Sequence, residues 1–269
     1  MFGKQKRSAP NFQCIRSFPC FPSFVLLLLF GVLLLSLFRQ SSQEVAASAD
    51  RNECIILLHG LARTHHSMEN LEKQLSERGF KVFNLDYPST KYSIDFLAGE
   101  ILEKLVEQVR GSSCSKIHFV THSMGGIVVR YYLKNISFPQ MGRVVMLAPP
   151  NQGSHLVDLF KKNVLFKKIR GPAAQQLGTE PESVPLSLGP VNFELGVIAG
   201  NRSFYPLNSA IIPGPDDGIV AVERTKVEGM ADFILLPYSH PFIMNKTETV
   251  EQILEFLRHG KFLEKRAVQ

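Results

Sequence analysis

The sequence predicts a parallel α/β sheet of about six strands with helices on its faces and a small lid, carried behind one N-terminal membrane-crossing helix. Three observations predict it. Short continuous apolar runs, of the length that suits a strand buried on both faces, alternate with stretches whose apolar residues recur at helical spacing. The run Ile117-His118-Phe119-Val120-Thr121-His122 ends at Ser123, then Met124-Gly125-Gly126 opens an apolar stretch, which reads as strand, sharp turn, helix. Residues able to do chemistry gather where these strands end, which is where such sheets bind ligands.

The chain of 269 residues is 45% hydrophobic and 20% charged, an ordinary globular balance except at the front. From Phe21 to Phe38 only Pro22, Ser23, Gly31 and Ser36 are not strongly apolar, and no charged side chain lies between Arg16 and Arg39. That length is near the minimum for crossing a bilayer. Lys4, Lys6, Arg7 and Arg16 precede it without an acid, so residues 1–20 are expected in the cytoplasm, 21–38 as a signal anchor, and the rest on the periplasmic side. A cleaved signal peptide is the rival reading. Its Ala47-Ser48-Ala49 site would lie 11 residues beyond Phe38, farther than such sites usually lie. The four tail charges account for most of the net +6, which leaves no reason to expect a nucleic-acid partner. Of the four cysteines, Cys54 and Cys114 fall beyond the membrane, where a disulfide is allowed.

Residues 39–52 read as a linker and 53–269 as one domain. Glu53 to Gly60 is the first strand. A helix from Ser67 to Arg78, closed by Gly79, leads to a second strand at Lys81–Pro88. A longer helix from Ser93 to Arg110 places Ile94, Leu97, Ile101, Leu105 and Val109 on one face. The third strand runs into Ser123. Arg143–Pro150, Phe193–Ala199 and Asp232–Leu236 are the fourth, fifth and sixth strands. The last helix follows His240, with Asn245 as its cap, Glu248 three residues on, and Val250, Ile253, Leu254 and Leu257 on its apolar face.

The strand ends supply a nucleophile and its helpers. The Ser123 hydroxyl is too weak an acid to attack a carbonyl at neutral pH, so a neutral imidazole must take its proton, and His240 precedes the last helix where that base is needed. An acid must then orient His240, and Asp216 and Asp217 both stand in a strand-end loop. The turn at Ser123 also aims the backbone N–H of Met124 at the place where negative charge would develop.

The stretch from Cys54 to the C-terminus resembles the α/β-hydrolase superfamily, and more narrowly small bacterial lipases and esterases. His59-Gly60-Leu61-Ala62-Arg63-Thr64, Ala148-Pro149-Pro150-Asn151-Gln152-Gly153-Ser154 and Asp217-Gly218-Ile219-Val220 carry the resemblance. It departs from the G-x-S-x-G pattern at Thr121, where a glycine would stand. The resemblance implies ester hydrolysis through an acyl-enzyme on Ser123, with Asp217 rather than Asp216 orienting His240. It also implies an oxyanion hole from the backbone N–H groups of Leu61 and Met124, supported by His59 and Gly60. Residues 39–52 leave no room for the two extra strands that open larger hydrolases.

No cofactor and no metal is expected. His59 reads as a brace for its loop, Asp86 as loop structure, and His65, His66 and His118 as surface or packed histidines without partners at metal spacing. Asn135, Asn201 and Asn245 each begin an N-x-[ST] triplet, a pattern frequent by chance. An insert at about 155–189 occupies the place of a lid, and a helix over 156–170 would carry apolar and basic faces suited to a membrane or, equally, to packing on the sheet. The expected substrate is a small-molecule or lipid ester. Thioester or amide hydrolysis and acyl transfer would use the same residues, and a non-catalytic lipid- or partner-binding scaffold is the other function class.

Overall fold

β1 (Glu53–Leu58) is apolar after its first residue because both of its faces are covered. Cys54, Ile56 and Leu58 face one core and Ile55 and Leu57 the other, all essentially inaccessible to solvent. Burying each large aliphatic side chain is worth about 1.5–3 kcal/mol, and the continuous run uses both faces. These and all further details come from a computed structural model, which describes residues 52–263.

The other strands are β2 (Lys81–Leu85), β3 (Lys116–His122), β4 (Met141–Leu147), β5 (Leu195–Gly200) and β6 (Asp232–Leu236). All neighbours pair in parallel, in the order β2-β1-β3-β4-β5-β6. β3 therefore lies inside the sheet between β1 and β4, and its carboxyl end, where the nucleophile turn follows, is flanked by two loops. α1 (Glu69–Ser76), entered through a 3₁₀ turn at His65–Met68, packs on the Ile55 and Leu57 side.

The long helix expected over residues 93–110 differs in register. α2 (Ile94–Phe96) passes through a π-helical stretch, Leu97–Leu102, into α3 (Glu103–Arg110). A π turn takes up an extra residue, so the buried face shifts by one position through the middle of the segment. Ile94, Leu97 and Val109 are buried as expected, but between them Leu102 and Val106 are buried while Ile101 and Leu105 are only half-buried.

α4 (Met124–Leu133) follows Ser123 directly. The lid insert is broken into α5 (His155–Phe160), α6 (Val164–Gln175) and α7 (Val184–Ser187). A single helix over 156–170 is not formed. The Asn163 side chain accepts from the N–H groups of Leu165 (2.8 Å) and Phe166 (3.1 Å), which starts α6 afresh. α6 is kinked at Gly171, whose φ of 74° lets the chain press against the Thr90 carbonyl. Two short helices, α8 (Pro206–Ser209) and α9 (Val222–Thr225), lie between β5 and β6.

α10 (Thr247–His259) buries Val250, Ile253, Leu254 and Leu257 against the second core and ends at Gly260, with φ 71°. Asn245 does not cap it. It belongs to a 3₁₀ turn, Ile243–Asn245, and Lys246 intervenes before the helix without a side-chain cap. At the amino-terminal ends of the neighbouring strands β1 and β3, Cys54 and Cys114 are joined in a disulfide with α-carbons 5.7 Å apart, closing a separation of 60 residues. The segment before β3 folds back to reach it, where the Ser115 N–H donates to the Asn52 carbonyl at 2.8 Å. No helix among the described residues is long and apolar enough to cross a membrane. The expected anchor at 21–38, with its tail and nearly all of its linker, lies outside the described residues.

Candidate active site

Ser123 stands between β3 and α4 at φ 53° and ψ −125°, a geometry that costs a residue with a side chain about 1–3 kcal/mol. The surroundings hold it there. Its N–H donates to the Leu147 carbonyl at the end of β4 (2.8 Å), and its carbonyl accepts from Gly126 (3.0 Å). A Cβ at Gly125 would stand 2.7 Å from the Leu58 carbonyl oxygen and 2.8 Å from that of His59, so only glycine lets α4 pass this close to β1. A Cβ at Gly126 would sit 3.2 Å from Thr121 Oγ1 and 3.0 Å from Met146 Sδ. The crowding that Thr121 introduces is thus relieved by the glycine across from it.

Asp217, Ser123 and His240 are brought together from three separate loops. His240 Nε2 lies 2.9 Å from Ser123 Oγ, and Nδ1 lies 2.7 Å from Asp217 Oδ2. With Nδ1–H donating to the carboxylate, Nε2 is left to accept from the serine hydroxyl. The His240 N–H also donates to the Asp217 carbonyl at 2.9 Å, tying the loop after β6 to the loop that holds the acid. The other Asp217 oxygen, Oδ1, accepts from the N–H groups of Ile219 (3.0 Å) and Val220 (2.8 Å). Asp216 turns elsewhere: its Oδ1 accepts from Gly218 N–H (2.7 Å) and the Ser209 hydroxyl (2.8 Å), bracing the loop.

Leu61 and Met124 offer backbone N–H groups beside the serine. Leu61 lines the same cleft, its N–H has no acceptor among the described residues, and Met124 opens α4, where the first amides have no partner within the helix. The Leu61 loop is held by several contacts. Ala62 N–H donates to the buried Ser89 hydroxyl at 3.0 Å. His59, fully buried, donates from Nδ1 to the Gly60 carbonyl at 2.9 Å and accepts at Nε2 from Tyr87 N–H at 3.4 Å. Its ring stacks on Tyr87 at 4.3 Å, and burial lowers its pKa. Gly60 leaves space for the elbow, since a Cβ there would stand 2.9 Å from His122 Nδ1 and 3.1 Å from Ser123 Cβ.

Two contributors escaped the sequence reading. His122 Nε2–H donates to the His240 carbonyl at 2.9 Å, and the two rings lie 4.8 Å apart. Burial, followed by the charges of His240 and Arg63, holds His122 well below the usual histidine range, so it stays neutral. Arg130, buried in α4, donates to the Asn151 carbonyl (2.9 Å) and side-chain oxygen (3.1 Å) and to the Gly189 carbonyl (2.7 Å). It thereby ties α4 to the loop after β4 and to the end of the lid insert. Burial lowers its pKa to about 10, which still leaves it cationic at neutral pH. The available signal was that Arg130 is the one charged residue between Met124 and Leu133.

Elsewhere, Asp86 accepts from His65 N–H (3.2 Å) and lies 3.5 Å from His59 Nε2, as a loop brace would. His118 is buried at the far end of β3, where its Nδ1 accepts from Arg143 N–H at 2.9 Å. His66 is not partnerless: Glu69, one turn on, contacts its Nδ1, and ligand atoms of His65, His66 and Glu69 come within 4.8 Å of one another. Sequence inspection missed this because it sought paired histidines rather than a carboxylate three residues away.

The serine opens onto a cleft of about 880 Å³, walled by apolar residues such as Leu156, Val157, Phe166 and Val220. Large apolar side chains stand exposed on the lid (Val164, 80%) and on α8 (Leu207, 80%).

A wholly parallel sheet, a strained serine turn after an inner strand and a cleft over the strands' carboxyl ends define the architecture of an α/β hydrolase. The sequence profile of the alpha/beta hydrolase fold matches residues 53–221, and the chain belongs to that family. Among solved structures it is similar to Bacillus licheniformis lipase BlEst2 in its mature form, with 18% identity and a TM-score of 0.61 over 78% of this chain and 93% of that one. The metagenomic carboxyl esterase MGS0156 aligns at 16% identity and a TM-score of 0.56, over 72% of this chain and 66% of that one. Aspergillus fumigatus lipase B aligns at 14% identity and a TM-score of 0.55, over 79% and 55% respectively.

Proposed function

We propose that the chain hydrolyses carboxylic esters through an acyl-enzyme on Ser123. The observation that carries the reading is the hydrogen-bonded sequence from Ser123 Oγ through both nitrogens of His240 to Asp217. As Ser123 Oγ bonds to the carbonyl carbon, His240 Nε2 takes its proton. The oxyanion then lies against the N–H groups of Leu61 and Met124, each worth on the order of 100- to 1,000-fold in rate. The imidazolium, stabilised by Asp217, protonates the departing alcohol. Water repeats the sequence to release the acid and restore the serine. That the structural neighbours include lipases and a carboxyl esterase supports an ester as the substrate.

A fluorophosphonate probe, followed by p-nitrophenyl esters of increasing chain length, tests the reading. Labelling and turnover that vanish in Ser123→Ala are expected. A folded domain that neither labels nor turns over any ester would leave only the scaffold class.

Residues 21–38 are assigned here to an uncleaved, single-pass anchor with the hydrolase domain on the non-cytoplasmic side and the lid at 156–170 as a second membrane contact. The uncharged, largely apolar run and the basic residues before it support this. The full-length protein is expected to stay in the membrane fraction after carbonate washing. A soluble form beginning near Asp50 would instead mean cleavage.

A further inference from the structure

Two of the residues that line the cleft with Ser123 carry permanent positive charge, Arg63 and Arg170, and no lining residue is a carboxylate. Arg63 is half-buried in the loop after β1, two residues beyond Leu61, and Arg170 is exposed on α6, just before the kink at Gly171. Among the described residues neither guanidinium makes an ion pair or a side-chain hydrogen bond. Two other cations beside the lid insert have partners of their own. Lys161 pairs with Glu180 at 2.7 Å, and Arg224 donates to the Gln152 carbonyl at 2.7 Å. The cleft therefore presents one sign of charge between apolar walls, an arrangement that concentrates oppositely charged ligands. A guanidinium is a planar fork of donors matched to oxyanions, and two of them from different elements suit a group with several oxygens.

Resting on the esterase reading above, we propose that Arg63 and Arg170 form an anion subsite, and that the preferred substrate is an ester carrying a phosphate oxyanion, as a glycerophospholipid does. The subsite sits in the cleft itself, so the preference must hold for single molecules as well as for a charged surface.

The test compares dihexanoylphosphatidylglycerol with dihexanoylglycerol, both monomeric in solution, using the purified full chain. The wild type is expected to favour the phosphate-bearing ester at least about tenfold in kcat/KM. Arg63→Met and Arg170→Met should each reduce that ratio about tenfold, whereas Lys168→Met, on the same helix but outside the cleft, should leave it in place. An equal ratio in wild type and arginine variants overturns the subsite. So does a preference that appears only with the dioleoyl pair in vesicles, since surface attraction would then explain it. If neither ester is turned over, the esterase reading fails separately, and calorimetric titration of phenyl phosphate into Ser123→Ala judges the subsite. Binding lost in Arg170→Met supports it, and absent or unaltered binding refutes it.

Discussion

The neutral histidine beside the nucleophile makes the stability of this domain depend on pH in a calculable way. Burial keeps His122 unprotonated in the folded chain, while in the unfolded chain the same imidazole titrates near pH 6.5. Below that pH the unfolded state takes up a proton that the folded state refuses, so stability falls as pH falls. The loss amounts to ~1.4 kcal/mol per pH unit until the folded group itself protonates. Between pH 7.5 and 5.5 one such histidine contributes a loss of at most ~1.4 kcal/mol, about three quarters of it below pH 6.5. His59 and His118 are lowered in the same direction, burial first, and steepen the wild-type curve. His122→Gln isolates one proton, since its amide N–H can still reach the His240 carbonyl. Urea denaturation followed by circular dichroism at pH 7.5, 6.5 and 5.5 should show the wild type losing ~1.4 kcal/mol more than the variant. Parallel pH dependences would refute the claim that His122 is held neutral.

Other expectations follow from the same geometry. Ser123→Gly should abolish turnover yet raise the unfolding free energy by ~1 kcal/mol, because glycine adopts φ 53° and ψ −125° without strain; thermal denaturation reads this. Asp217→Asn should lower kcat by roughly 10³- to 10⁴-fold through loss of the correct His240 tautomer. Asp216→Asn, whose carboxylate contacts Gly218 and Ser209 but not His240, should cost stability before activity, and steady-state kinetics on the two variants separates them. Cys54→Ser with Cys114→Ser should lower stability by up to ~4 kcal/mol, the chain-entropy value for a separation of 60 residues. Activity at low temperature should survive, and a melting temperature unchanged by reduction would count against the bridge.

The strands were legible because burial on both faces leaves little choice of residue, and each lies within two residues of its expected bounds at its amino end. The face of α10 was legible because an uninterrupted helix keeps its period. The π-helical stretch was not, because one extra residue moves the buried face onto Leu102 and Val106 while leaving composition untouched. The lid failed as a single helix for a local reason: the Asn163 side chain satisfies amides that a continuing helix would have bonded internally. At the site, order along the chain was enough to name the serine, the histidine and a pair of candidate acids, but choosing between Asp216 and Asp217 needed resemblance or geometry. His122 and Arg130 act through carbonyl groups distant in sequence, the His240 carbonyl lying 118 residues from His122, and nothing in local pattern announces such partners.

The strained turn at Ser123 also bears on how such a chain changes over generations. A single-residue replacement by glycine would make the domain easier to fold while silencing the serine, so selection for a sturdy fold and selection for turnover pull this position in opposite directions. A lineage that used the domain only as a platform would gain by giving the serine up. Its presence, in a conformation that disfavours any side chain, is what continued demand for a nucleophile would leave behind.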